Sequence, residues 1–229
     1  MTDRVPEIEE AMLERVRGLA ARDDVARAMS ICKEQVAEAM AEQVKIAEIE
    51  SPTFAEKVRG EAVMELMRSY GLTDVVMDPS GNVVGRRPGT GSGPTLAIAA
   101  HLDTVFPAGT DLTVRREGNL YYGPGIGDNA SGIRSMLQVR RPLEGGGIRT
   151  EGDILFVGTV GEEGNGDIRG SKHLFSSDPA PDGFIAVDNT DTGRILHTAI
   201  GSHRWRCTVT GPGGHSFGAF GEVPSAIHA

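Results

Sequence analysis

Acidic and imidazole side chains stand at four points of the sequence where an apolar run gives way to a loop. In chain order they are His101, Asp103, Asp128, Glu162, Glu163 and Asp188. One histidine with several carboxylates is a ligand set that zinc, manganese and cobalt accept. Two such ions that share one carboxylate, about 3.5 to 4 Å apart, form a hydrolytic arrangement. These residue types therefore indicate a metal-dependent hydrolase with a binuclear site.

Taken one at a time, the first two points also have ordinary structural explanations. The pair His101 and Asp103, two residues apart, suits an aspartate that holds the ring of a metal-binding histidine, or equally a plain strand-end hydrogen bond. Asp128 follows the glycine-rich run 123–127 and could simply cap the next helix. A phosphate-binding loop is disfavoured there, because the run lacks a Lys-Ser/Thr pair and presents a carboxylate where phosphate would lie.

The pair Glu162-Glu163 is the least ordinary feature. Adjacent glutamates at the end of a buried strand repel each other unless they are protonated, paired or bound to cations. Either both turn into solvent, or one binds a metal ion while the other transfers protons. Asp188 has the same ambiguity, since it could be a turn residue.

The first 70 residues have the periodicity of helices. Apolar residues recur at steps of three and four from Val25 to Val44, which predicts one packing helix. Thr53 and Glu56 have the spacing of a capping box before a second helix that runs to Tyr70. A turn at 79–82 between short apolar runs then predicts a β-hairpin.

Three apolar runs without alternation predict strands that are buried on both faces of a parallel sheet. They are Thr95–Ala100, Asp153–Val160 and Gly183–Val187, with helices expected between them at about 129–141 and 170–175. This alternation predicts an α/β fold, with a mainly parallel mixed sheet flanked by helices. Ligands bind at the carboxyl edge of such sheets, so we expect the side chains that follow the strands to converge there.

The last segment has a different pattern. Trp205, Cys207 and Val209 alternate with polar residues between Ser202 and Thr210, which predicts a strand with one wet face. We therefore predict a catalytic metallohydrolase lobe over residues 1–200. The beginning of a smaller α+β lid or dimerisation domain is predicted over 201–229, with a helix starting near residue 224.

Composition excludes several classes of protein. The 32 acidic and 23 basic residues give a net charge of -9, which disfavours a nucleic-acid partner. No apolar run is long enough to span a membrane, so no membrane partner is expected and the default location is cytoplasmic. The two cysteines, Cys32 and Cys207, are far apart on apolar stripes and are expected to be core thiols.

Five motifs, in this order and with these gaps, resemble a known enzyme family. They are AAHLDTV, YGPGIGDNASG, VGTVGEEGNGD, AVDN and GPGGHSFG. The chain resembles the co-catalytic zinc aminopeptidases, carboxypeptidases and deacylases, which include peptidase T, glutamate carboxypeptidase and acetylornithine deacetylase. The resemblance covers residues from about 40 to 229 and implies a phosphorylase/hydrolase-like catalytic lobe.

The resemblance also implies a ligand set for two divalent metal ions, most often zinc, with cobalt or manganese as alternatives. His101 and Asp188 would bind the first ion, and Glu163 would bind the second. Asp128 would bridge the two ions.

Three further residues receive roles by the same resemblance. Asp103 would orient His101. Glu162 would be the general base that deprotonates the water activated by the two metals and passes the proton to the leaving amine. His215 would belong to the lid domain and stabilise the oxyanion across a homodimer.

The implied reaction is hydrolysis of an amide bond in a small peptide or an N-acyl amino acid. The family's returning catalytic half, with a last metal-binding histidine, would lie beyond residue 229, so the chain is expected to be incomplete. Two alternatives stay open. One is a truncated, non-catalytic fragment with a partial metal site, and the other is a binding or scaffold protein whose acidic cluster is a solvated rim.

Overall fold

A computed structural model describes residues 9–188, 191–215, 217–219 and 221. The chain divides into two compact units, residues 1–190 and 191–229. All helices and strands found among the described residues lie in the first unit. The predicted domain boundary at residue 200 stays a prediction.

The first unit is built on a mixed five-stranded sheet in the order β1-β2-β6-β3-β7. The strands of the described residues are β1 (Thr73–Met77), β2 (Val83–Arg87), β3 (Leu96–His101), β4 (Arg115–Glu117), β5 (Leu120–Tyr122), β6 (Ile154–Thr159) and β7 (Gly183–Ala186). Strand β3 runs parallel to β6 and β7, whereas β2 runs antiparallel to both β1 and β6. The predicted hairpin is present, three strands form at the three apolar runs, and the α/β fold is confirmed. Burial on both faces holds for β3 and β6 but was wrong for β7, because β7 lies at the edge of the sheet and leaves Ile185 50% exposed.

Helices cover both faces of this sheet. Those of the described residues are α1 (Glu10–Ala20), α2 (Asp23–Glu34), α3 (Val36–Ala47), α4 (Lys57–Ser69), α5 (Ala130–Gln138), α6 (Arg140–Gly145) and α7 (Arg169–Ser176). The larger core packs α3, α4 and α5 against one face, around fully buried Val63, Ile133 and Phe156. A smaller cluster around Val157 and Leu174 lies on the other face, where α7 packs. Burial on both faces explains why β3 and β6 show no polar alternation.

Two helix predictions need correction. The single helix expected over 25–44 is two helices that part at Gln35, because α2 packs against α6 while α3 packs against α5. The helix expected over 129–141 ends at Gln138, and a new helix begins at Arg140. Pro142 lies in the first turn of this new helix, where a missing N–H group leaves no helical bond unmade.

The second unit does not contain the strand predicted over Ser202–Thr210. Described residues 191–215 form no helix or strand, and Trp205 is 87% exposed. A strand with one apolar face needs a second strand or a layer to bury it, and this stretch has neither within the described part of its unit. Cys207 is exposed and Cys32 is half-buried, so the expectation of two core thiols is wrong. The helix predicted near residue 224 lies outside the described residues.

Within the described part of the chain, no helix combines the length and the apolar character that crossing a membrane requires.

Candidate metal centre

The candidate site lies at the carboxyl edge of the parallel strands. His101 is the last residue of β3 and pairs with Thr159, the last residue of β6. Glu162 and Glu163 follow β6 after a short turn at Gly161. On the other side of β3, the N–H group of Val187 donates to the carbonyl of Ala99 and places the end of β7 beside it. The topology therefore brings three strand ends to one edge, as expected for an open α/β sheet.

Three side chains meet closely enough to share one ion. The ligand atoms of His101, Asp128 and Glu163 all lie within 4.8 Å of one another. His101 is buried, Glu163 is half-buried and Asp128 is exposed, so the group opens from the sheet edge toward solvent. Donor atoms this close can converge on a single cation with a small adjustment of the side chains.

The hydrogen bonds of His101 point its Nε2 atom at the acidic group. Its Nδ1 atom lies 2.9 Å from the backbone carbonyl oxygen of Asp103 and 3.6 Å from Oδ1 of the same residue. A carbonyl oxygen only accepts, so Nδ1 carries the proton and donates. Its Nε2 atom lies 2.9 Å from Oδ1 of Asp128. A divalent cation would take the place of the proton that Nε2 needs in order to donate to that carboxylate.

Charges around the ring favour a positive species at this position. Burial opposes the charged imidazolium, but the Asp103 carboxylate and then the charges of Asp188 and Glu162 outweigh it and raise the pKa of His101 to about 9. The same field that attracts a proton would attract a metal cation.

The carboxylates of the site repel one another electrostatically. Burial raises the pKa of Glu163, and the charges of Asp128 and Glu162 add to that effect. Burial also raises the pKa of Glu162, and the charges of Asp188, Asp103 and Asp128 add to that rise, against the opposing effect of His101. A divalent cation relieves such crowding of negative charge, so the residues present fit the metal that the sequence predicts.

Asp188 is exposed and is not a member of the group whose donor atoms lie within 4.8 Å of one another. Its charge nevertheless acts on both His101 and Glu162, which places it at the same edge.

Asp103 is fully buried and joins the two strand ends. Its Oδ1 atom accepts from the N–H group of Glu162 at 3.0 Å. Its Oδ2 atom accepts from the N–H group of Glu163 at 2.9 Å and from the hydroxyl of Thr53 at 3.0 Å. Burial opposes ionisation, but the interaction with His101 and these donors lower the pKa of Asp103 to about 2. Asp103 therefore orients both the histidine and the backbone that carries the two glutamates.

Glu56 also holds the loop that follows β6. Its Oε1 atom accepts from the N–H group of Gly161 at 3.1 Å and from that of Phe54 at 3.0 Å. Arg169 donates to both oxygens of Glu56 at 2.8 Å and lies over the ring of Phe54. The capping box predicted from Thr53 and Glu56 does not form at the start of α4, because both side chains serve the site instead.

Arg59 is fully buried beneath the exit of β3. Its guanidinium donates to the carbonyl of Leu102 at 2.9 Å and to that of Ile49 at 3.0 Å. Burial lowers the pKa of Arg59 to about 10, against the opposing charge of Asp103. Neither Arg59 nor Arg169 is recognisable as part of the site from the sequence, since their partners are carbonyls or distant residues.

Asn129 links Asp128 to the end of β7. Its Oδ1 atom accepts from the N–H group of Gly132 and caps α5, and its Nδ2 atom donates to the carbonyl of Val187 at 3.0 Å. A Cβ atom at Gly132 would overlap that carbonyl oxygen, so the close approach requires glycine. One buried amide thus fixes the separation between Asp128 and the segment that carries Asp188.

Two substitutions separate the contributions of this amide. Asn129→Ala removes both hydrogen bonds and is expected to lower the free energy of unfolding by about 2 kcal/mol. Asn129→Asp keeps the cap acceptor but loses the donor to Val187, and it is also expected to destabilise the chain because two oxygens then face each other. Urea unfolding measures both effects, with Asn119→Ala as an exposed control. A variant Asn129→Ala as stable as Asn119→Ala would contradict this role.

His215 belongs to the second unit. Its Nδ1 atom accepts from the N–H groups of Phe217 at 3.2 Å and Gly218 at 3.1 Å. Its Nε2 atom is therefore the one that carries the proton in the neutral ring. The predicted role of His215 in oxyanion stabilisation stays a prediction.

Comparison with known proteins shows a match to a protein family. Residues 82–212 match the profile described as peptidase family M28. That range contains His101, Asp128, Glu163 and Asp188. The match covers more than half of the chain.

Individual relatives are hydrolases. A protein of Pyrococcus abyssi named as a LysW-lysine/LysW-ornithine hydrolase is 31% identical over 120 residues, which are 52% of this chain and 32% of the relative. Carboxypeptidase G2 of Pseudomonas sp. strain RS-16 is 36% identical over 84 residues, covering 36% of this chain and 20% of the relative. The chain thus spans a third or less of the length of these two relatives.

A solved structure shares the fold. The tripeptidase of Staphylococcus aureus superposes with a TM-score of 0.56 at 28% sequence identity, over 66% of this chain and 43% of that one. Together with the family match, this similarity confirms the resemblance to metal-dependent peptidases that the sequence motifs indicate.

Proposed function

The chain belongs to peptidase family M28, and we propose that it forms the metal-binding part of a hydrolase that cleaves an amide bond in small peptides or N-acyl amino acids. The observation that carries the proposal is the convergence of His101, Asp128 and Glu163 at the carboxyl edge of the sheet. The names of the relatives support the substrate class, since they include a tripeptidase and a carboxypeptidase.

We assign the ligands of two divalent ions as the motifs imply. His101 and Asp188 would hold the first ion, Glu163 would hold the second, and Asp128 would serve as a ligand to both. The mixture of imidazole and carboxylate donors favours zinc over magnesium or calcium, with cobalt and manganese as alternatives. When bound, such ions supply Lewis acidity toward the amide carbonyl and lower the pKa of water.

Glu162 is the proposed general base. Its carboxylate is exposed at the open side of the site, while the backbone that carries it is fixed by Asp103. The raised pKa of Glu162 brings it toward the range where a carboxylate both accepts and returns a proton efficiently. Glu162 takes a proton from the attacking water and delivers it to the leaving amine nitrogen, so the carboxylate ends the cycle as it began.

Asp103 acts as a positioning residue in this scheme. Its carboxylate holds the ring of His101 and the backbone N–H groups of both glutamates, so that ligand and base keep a fixed separation. His215 would stabilise the oxyanion in an assembled homodimer. Dimerisation and a cytoplasmic location stay predictions.

Metal binding by the 229-residue chain tests the proposal directly. We expect zinc to bind in stoichiometric amounts, and His101→Ala to weaken its affinity at least tenfold, because the one imidazole ligand of the group is lost. His197→Ala, which removes an exposed imidazole of the second unit, is the matched control. Zinc titration with elemental analysis measures both.

Hydrolysis of tripeptides and of N-acyl amino acids is measured on the same preparations. Equal zinc affinity in His101→Ala and the wild type would refute the metal centre. Zinc binding without turnover of either substrate class would refute the catalytic part of the proposal for this chain and favour a non-catalytic metal-binding fragment.

A further inference from the structure

We propose that the first unit carries a second binding site, for a phosphate group, in a cavity at the opposite end of the sheet from the metal centre. The cavity has a volume of about 430 Å³. Its charged lining residues are Arg87, Arg140, Arg149 and Glu144. This inference does not depend on the proposed hydrolytic function.

The position of the cavity follows from the register of β6. Arg87, the last residue of β2, pairs with Ile154 at the start of β6, whereas His101 pairs with Thr159 at its end. Five residue steps along a strand separate the two ends by roughly 17 Å. The cavity is therefore separate from the candidate metal centre.

The charges in the cavity are unbalanced. Glu144 forms an ion pair with Arg140 and is the one carboxylate among the described residues that line the cavity. Three guanidinium groups and one carboxylate leave a net charge of +2 there, although the chain as a whole carries -9. Burial and the charges of Arg140 and Arg149 lower the pKa of Arg87, as uncompensated like charges do.

The three arginines differ in how they are held. Arg87 donates to the hydroxyl of Thr150 at 3.1 Å and to the carbonyl of Ile148 at 2.6 Å, which fixes its guanidinium at the cavity wall. The Nε atom of Arg140 is buried and has no hydrogen-bond partner within the described residues. Arg149 is exposed, and no hydrogen bond or ion pair is found for it in the described part of the chain. Arg149 thus has donors available to a ligand, while Arg140 adds its positive charge and a buried, unpaired N–H group to the lining.

A phosphate group suits this arrangement better than other anions. Its charge of about -1.5 to -2 near neutral pH matches the excess of two positive charges. Guanidinium groups bind phosphate through paired N–H donors, and several arginines can share its oxygens. A nucleic acid or an acidic protein would need an extended basic surface, which the acidic chain does not favour. The phosphate could be free or part of a small phosphate monoester.

Isothermal titration with inorganic phosphate and with ribose 5-phosphate, at fixed ionic strength, tests the site. We expect one saturable site per chain and an affinity about tenfold lower in Arg149→Ala, the effect of losing one charge-assisted contact. Arg149 is exposed, so its removal leaves the fold intact. Arg115→Ala, at an exposed arginine of β4, is the matched control and is expected to bind like the wild type. Tighter binding of the monoester than of inorganic phosphate would identify a phosphorylated metabolite as the ligand class.

Chelator treatment distinguishes this site from phosphate held by a metal ion. Phosphate in the arginine cavity is expected to bind equally well before and after removal of metals. The proposal is overturned if no saturable binding occurs up to tens of millimolar phosphate, or if Arg149→Ala and Arg115→Ala bind alike. It is also overturned if chelator abolishes the binding.

Discussion

Replacing Glu162 with glutamine is expected to lower turnover by about 10²- to 10⁴-fold while leaving the zinc content unchanged. Glutamine keeps the size and shape of the side chain but has no basic carboxylate, so it cannot take a proton from the attacking water. The backbone N–H group of Glu162 still donates to Asp103, because that bond does not involve the side chain. The loss should therefore fall on the chemical step and not on the architecture of the loop.

The neighbouring residue supplies the internal control. Glu163→Gln makes the same chemical change one position along, but Glu163 belongs to the group whose donor atoms meet those of His101. We expect this variant to lose zinc affinity as well as turnover. Measuring kcat, KM and bound zinc for both variants separates a base from a ligand.

Unchanged turnover in Glu162→Gln would remove Glu162 from the role of general base. Loss of zinc to the same extent in both variants would contradict the proposal that Glu162 is the base and Glu163 the metal ligand.

The sequence predicts the parts of the site that depend on where strands end. Apolar runs before His101, Glu162 and Asp188 mark three strands of the sheet, and parallel strands share one carboxyl edge, so convergence follows from topology alone. The hairpin of β1 and β2 is predicted for the same kind of local reason, namely a turn between two apolar runs.

The supporting contacts could not be predicted in this way. Glu56 meets Arg169 across 113 residues of sequence, and Asn129 meets Val187 across 58. No local pattern signals such a pair, because its partners are brought together only by the packed fold. The capping-box pattern at Thr53 even predicts a different use of the same side chains.

The helix and strand predictions that differ from the structure are wrong for a related reason. The spacing of apolar residues alone shows that residues 25–44 are helical and amphipathic. The break at Gln35 depends on which other helices pack against the segments before and after it. Alternation over Ser202–Thr210 shows a strand-like pattern, but a strand also requires a neighbour with which to pair. The local sequence pattern thus predicts an element correctly where burial in the core produces the pattern. It fails where contacts with residues distant in sequence determine whether the element forms or where it ends.

Removal of the Asp103 carboxylate is expected to have a large effect on stability. Asp103→Ala leaves three donors without an acceptor, the N–H groups of Glu162 and Glu163 and the hydroxyl of Thr53. It also removes a buried negative charge 3.6 Å from Nδ1 of His101, although the hydrogen bond of that atom to the backbone carbonyl of residue 103 stays. Such a loss costs about 3 to 5 kcal/mol of unfolding free energy. Urea unfolding in the presence of chelator measures it without any contribution from bound metal.

Asp103→Asn separates charge from shape. The amide keeps one acceptor oxygen but turns an NH₂ group toward N–H donors, so we expect a smaller loss of stability and a 10- to 100-fold loss of zinc affinity. Asp111→Asn is the control, because Asp111 is exposed and bonds only to nearby Thr113 among the described residues, and its change should stay within about 0.5 kcal/mol.

The two readouts decide between a structural and a positioning role for Asp103. A fall in stability with wild-type zinc affinity would mean that the carboxylate only joins β3 to the loop after β6. A fall in both means that the carboxylate also helps to orient Nε2 of His101, since its Oδ1 atom lies 3.6 Å from Nδ1, beside the backbone carbonyl that both variants retain. Wild-type behaviour of Asp103→Asn in both measurements would show that its negative charge is not needed.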